Sequence, residues 1–153
     1  LQTDAGALRD GPPGGAGLVT EPLYPLDTAI EAADALLDLA LLSGERRYQT
    51  AARRAMATFA GASDRMGVEV AGYGSVVARL REPRAIEVGA PAGSDLHRAA
   101  LRLADHESVV VPGADDRSDG PEPGEARLVA DGSVRGPAET PAGLEGLLTD
   151  DDP

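Results

Sequence analysis

Chemistry in this chain would have to come mainly from carboxylates. Asp27, Glu31, Asp34 and Asp38 recur at intervals that place them on one face of a helix. Such a stripe suits a general acid and base acting on a sugar, or else a solvated face with Arg53 or Arg54 of a neighbouring helix within reach. Glu21 and Tyr24 stand just before it. A glutamate and a phenol can hydrogen-bond a polyol; equally, Tyr24 can staple the loop onto the helices while Glu21 sits in water. Glu21, Tyr24 and Asp27 are the candidate catalytic residues. His97 and His106 are the two histidines, and neither has a second histidine at ligand spacing, so no metal is expected. His106 fits better as a cation at the negative end of a helix dipole. With no cysteine, disulfide frameworks, thiol redox chemistry and thiolate zinc sites are excluded within the chain. The glycine-rich stretches at 11–17 and 72–74 follow no strand, and there is no lysine, so neither reads as a phosphate cradle. No cofactor is expected.

These residues need elements to position them. Residues 1–23, rich in glycine with Pro12, Pro13 and Pro22, read as an irregular loop. Ile30, Ala33, Leu37, Ala40 and Leu41 then give a helical period that Ser43-Gly44 stops, with Thr28 and Glu31 at capping-box spacing and Asp27 as the competing cap. Tyr48, Ala52, Ala55, Met56 and Phe59 mark a second amphipathic helix from Glu45 to about Ala60. The short connection predicts an antiparallel helical hairpin. A third helix over 68–80 is expected despite Gly72 and Gly74. Beyond Pro83, Ala85-Ile86-Glu87-Val88 reads as a strand. Ser94 caps a helix with Leu96, Ala99, Ala100 and Leu103 inward, and Ser108–Val111 reads as a second strand. That order, spanning 83–112, predicts a βαβ unit with parallel strands. Residues 113–125 read as an acidic flexible loop. Residues 126–153 read as a strand near Ala126–Ala130, a short helix near Pro141–Leu148 and an acidic tail.

The 153 residues carry 26 acids against 14 bases, a net charge of −12. All the bases are arginine, and only four side chains are aromatic, so the core must be built from alanine, valine and leucine. This balance resembles proteins of salt-in halophiles, in which concentrated salt strengthens burial and screens acidic repulsion. It argues against nucleic-acid binding, which needs clustered cations. No apolar run approaches the length of a membrane helix, and the opening residues lack a signal pattern. A chain that opens on Leu1 is expected to be a piece of a longer protein.

The stretch Gly17-Leu18-Val19-Thr20-Glu21-Pro22-Leu23-Tyr24-Pro25-Leu26-Asp27, the turn Leu41-Leu42-Ser43-Gly44-Glu45-Arg46-Arg47-Tyr48, the helix ending near Phe59-Ala60, the βαβ segment after Pro83-Arg84 and the closing Ala126–Pro137 carry a resemblance. In order and spacing they are similar to the C-terminal end of thioredoxin-domain proteins with an N-acylglucosamine 2-epimerase-like (α/α)6 toroid. That group includes the spermatogenesis-associated thioredoxin-domain proteins. The resemblance implies a mainly α fold in which 24–82 is the terminal helical part of the toroid, with its closing hairpin, followed by a small βαβ(β) segment. It further implies a cytoplasmic parent protein that acts on a carbohydrate, with this chain holding no complete active site. The implied partners are the upstream toroid and thioredoxin-like domains and a small sugar; the alternative is a non-catalytic structural, binding or quality-control module. Two departures stand out. The family's Pro-Ser-Gly-Asn-Ser stretch is replaced by Pro25-Leu26-Asp27-Thr28-Ala29, and its two tail cysteines correspond to Val129 and Val134.

Overall fold

A computed structural model describes residues 3–9, 25–62, 67–130 and 132–149. Among them are five α-helices and a four-stranded mixed sheet, a helix-rich α/β chain. It divides into two compact units, Leu1–Arg81 and Glu82–Pro153, each with its own apolar cluster.

The first unit is helical. Helix α1 spans Leu26–Ser43, and Gly44, with φ of 74°, turns the chain into α2 at Arg46–Ala57. Only glycine adopts that left-handed conformation without cost, and the Gly44 amide then reaches back to the Ala40 carbonyl. A single 3-10 turn at Gly67–Glu69 leads into α3, Val70–Arg81. Ala29, Ala33 and Leu37 form the buried line of α1, facing Ala52, Ala55 and Met56 of α2 and Val76 and Leu80 of α3. Alanine dominates these contacts, so the helix backbones approach closely. Gly72 fits the same logic, since a Cβ there would lie in ordinary contact with Ile30.

The start of α1 differs from expectation. The helix begins two residues before Thr28, with Pro25 in the cap position and no side-chain cap, so Thr28 and Glu31 form no capping box. Asp27 instead accepts the Thr28 amide at 2.7 Å. Pro25 has extended backbone angles, and its carbonyl takes the Ala29 amide, which starts the helix without help from Thr28. Of the expected irregular loop at 1–23, residues 3–9 make a tight turn closed by the Thr3 amide on the Ala7 carbonyl. Leu8 from this turn packs on the helical cluster. The remainder of that stretch lies outside the described residues.

The second unit has the strand order β2-β1-β3-β4, with β1 at Arg84–Val88, β2 at Ser108–Pro112, β3 at Ala126–Ala130 and β4 at Ser133–Ala138. Strand β1 pairs in parallel with β2, as the βαβ pattern requires, and antiparallel with β3. Helix α4, Asp95–Leu103, has the expected Ser94 cap, whose hydroxyl accepts the His97 amide at 3.2 Å. Helix α5 spans Pro141–Thr149. Leu96, Ala100 and Leu144 from these helices meet Ile86, Val88, Ala126 and Leu128 in one cluster. The period-two alternation of β1 and β3 explains which residues face the helices.

Two features depart from the reading of 113–153. Strand β4 was not expected in 126–153; its Gly136-Pro137 argues against a strand, yet it forms the sheet edge, where a missing amide is tolerated. A register irregularity lies between Ala126 and Leu128, and Gly136, with φ of 133°, sits opposite it against the Arg127 side chain. The acidic stretch 113–125 is tied down rather than free. It opens with a 3-10 turn, Ala114–Asp116, whose Ala114 is buried. The Gly89 amide donates to Glu125 and the Gly124 amide to Gly89, at 2.7 and 2.6 Å.

Candidate functional site

The acidic stripe of α1 exists, but its partner is not the one expected. Arg79 of α3, only 7% exposed, reaches between Asp34 and Asp38. Its Nη1 donates to Asp34 and its Nη2 to Asp38 Oδ1 at 2.8 Å. Burial opposes the guanidinium's charge, but the hydrogen bonds and charges of the two aspartates outweigh it, and Arg79 is held more firmly protonated than an ordinary arginine. Arg53 and Arg54, named as partners from sequence, turn elsewhere: Arg53 donates to the Leu80 carbonyl and Arg54 to the Asp4 carbonyl. The correction has a simple cause. Positions 34 and 38 of α1 face α3, so the cation that meets them must come from there.

Of the three candidate catalytic residues, Asp27 is exposed in the first turn of α1, bonded to the Thr28 amide. Glu21 and Tyr24 lie outside the described residues. Among the described residues Asp27 is thus the one candidate of the three whose place is known, with Glu31 one turn further along the same exposed face of α1.

The histidines are likewise apart. His97 Nδ1 accepts the Gly93 amide at 3.0 Å, closing the loop before α4. His106 is exposed, its Nε2 3.9 Å from Glu107 Oε1. Beside it, Asp105 is pushed upward by partial burial, but the Ser108 hydrogen bond, the Glu107 amide and the charge of Arg84 together hold its carboxyl below the usual aspartate value. Among the described residues no group of three potential ligands is placed to hold a metal.

The most concentrated polar arrangement is one that sequence reasoning missed. Glu87, at the middle of the sheet on β1 and 7% exposed, takes two arginines at once. Arg117, just after the 3-10 turn, bonds its Oε1 at 2.9 Å; Arg127 of β3, its cross-strand neighbour, bonds Oε2 through Nε at 2.8 Å and Nη2 at 2.7 Å. Arg127 also donates to the Asp119 carbonyl, pinning the acidic loop over the strand. A cleft of about 190 Å³ lies alongside, lined by Arg127 with Glu122, Glu125 and Val134 among others. The signal was present in sequence as a lone glutamate inside a strand of apolar residues. Its partners depend on strand register, which spacing alone does not give.

Chemically, both ionic clusters are closed on themselves. Asp34, Asp38 and Glu87 are all bound to arginine, and neither cluster presents a nucleophile. No described helix is long and apolar enough to cross a membrane. Comparison with protein-family models, with curated proteins and with solved structures finds no match for this chain.

Proposed function

We propose that this chain is the C-terminal part of a cytoplasmic thioredoxin-domain protein built on an (α/α)6 toroid. In this reading the assembled protein acts on a carbohydrate, and this chain closes the helical ring without a complete active site of its own. The observation that carries the reading is the outer face of α1. Ala35, Leu39 and Leu42 lie on the side of the helix opposite Ala29, Ala33 and Leu37, and the two leucines are 46% and 47% exposed. Single exposed leucines are ordinary. An apolar stripe opposite an already packed face is what a hairpin needs when it has a neighbour on each flank. The order of helical hairpin, third helix and βαβ unit supports the same reading, together with the sequence resemblance. Asp27, solvent-facing at the start of α1, is its described candidate for contact with a sugar.

One observation favours the alternative of a non-catalytic structural or binding module: Asp34 and Asp38, the best-placed pair for acid and base roles, are both held by Arg79.

The test uses the chain of residues 1–153. With one flank wet, it is expected to self-associate and to bind a hydrophobic dye, and the double substitution Leu39→Glu, Leu42→Glu is expected to reduce both. A compact monomer that melts sharply and shows no change on that substitution would overturn the toroid reading.

A further inference from the structure

The arginines of this acidic chain are unevenly spent. Arg47, Arg79, Arg98, Arg117 and Arg127 all pair with carboxylates. Helix α2 is different: it holds four arginines and no acid. Arg46, Arg53 and Arg54 of α2 and Arg81 at the end of α3 are exposed, and none of them forms an ion pair with a described residue. Among the described residues Arg53 and Arg54 bond only neutral carbonyls, and no described carboxylate offsets their charge. Arg46, Thr50, Arg53 and Ala57 fall on one line of the helix surface, and Arg46 stands about 10 Å from Arg53 along the axis.

That basic line runs into an apolar cleft. About 210 Å³ opens between α2 and α3, lined by Met56, Tyr73, Val77 and Leu80 together with Arg53 and Arg81. The phenol of Tyr73 donates to the Met56 carbonyl at 3.3 Å, which leaves its ring as part of the wall. A cleft of this size takes one aliphatic side chain, and the cations around it need anions.

We propose that the α2–α3 face docks an acidic peptide segment of another protein, with one leucine-like side chain in the cleft and carboxylates on Arg46, Arg53 and Arg81. Charge complementarity sets the partner's sign, and the apolar wall sets its anchor. A nucleic acid is the poorer fit because the whole chain carries −12.

Fluorescence anisotropy with the intact 1–153 chain tests this. The probe is a labelled peptide of about a dozen aspartates and glutamates with a single central leucine. Arg46 and Arg81 hold no side-chain hydrogen bond to a described residue, so Arg46→Gln with Arg81→Gln is expected to leave the fold intact, as circular dichroism checks. This variant is expected to weaken binding roughly tenfold. Replacing the peptide's leucine by serine is expected to weaken it by a similar factor. Absence of binding overturns the proposal. So does equal binding by the double variant, indifference to the leucine, or tighter binding of a single-stranded oligonucleotide than of the peptide. Ala57→Phe, which fills the cleft mouth while keeping every arginine, is the second variant; undiminished binding by it also overturns the proposal.

Discussion

Glu87 decides how much of the second unit is held together. One carboxylate with little contact with water satisfies two guanidinium groups from different parts of the chain. Removing it leaves two partly buried guanidinium groups without their carboxylate, which costs more than the pair is worth when intact. Glu87→Ala is therefore expected to lower stability by about 3 kcal/mol in urea titration. Glu87→Gln, which keeps the acceptor oxygen, is expected to lose less. A loss under about 0.5 kcal/mol for Glu87→Ala would show that the cluster contributes only surface pairing. At this scale the sequence is least informative. The spacing of Asp34 and Asp38 placed them on one face, but nothing local shows that Arg79 rather than Arg53 meets them. Glu87 reads as an ordinary strand residue until register supplies Arg127. Side-chain partners are set by tertiary geometry, and residues 41 to 45 positions apart in the chain leave no local trace of their pairing.

Elements were far more legible. Helix periods, the Gly44 turn, the Ser94 cap and the two parallel strands follow from amphipathic spacing and from punctuation by glycine and proline. Where the reading fell short, a competing rule was at work. The Gly136-Pro137 pair hid β4, although Asp131-Gly132 between apolar runs is a hairpin signal and Gly132 does take a positive φ of 70°. The acid-rich composition of 113–125 hid the hydrogen bonds that fold it against the end of β1. That fold depends on backbone meeting backbone. A Cβ on Gly89 would overlap the Glu122 carbonyl oxygen, and one on Gly120 the Ala114 carbonyl. Because these neighbours are main chain and not the tip of a flexible side chain, relief requires the loop to move. Gly89→Ala is expected to cost about 2 kcal/mol or more, read as a lower thermal midpoint, and to raise protease cutting within 113–125. An unchanged midpoint would mean that the loop shifts freely and is not packed as described.

For the whole chain, charge is the governing quantity. From Gly113 onward there are 11 acids against 3 arginines, so most of the net −12 lies in the second unit. The apolar clusters meanwhile rest largely on alanine, with Leu37, Ile86, Val88, Leu128 and Leu144 as the largest fully buried side chains. Small cores gain little from burial, and like charges oppose compaction. In the halophile reading that we propose, salt supplies what is lacking by screening the repulsion and strengthening burial. The helical circular-dichroism signal is expected to rise steeply between dilute buffer and molar KCl; a spectrum that stays constant over that range would remove the halophile reading.

The strand order of the second unit also dictates when it can form during synthesis. Strand β1 is made first but occupies an interior position, between β2 and β3. As the chain leaves the ribosome, β1 emerges with both hydrogen-bonding edges empty. One is filled when Ser108–Pro112 arrives, the other only with Ala126–Ala130. Leu144, the fully buried side chain of α5, comes later still. The helical unit, complete at Arg81, faces no such wait. The interval between β1 and Leu144 is thus a window in which a nascent apolar strand is open to a chaperone or to a neighbouring chain, and the acidic stretch that lies within it is well placed to keep such neighbours away.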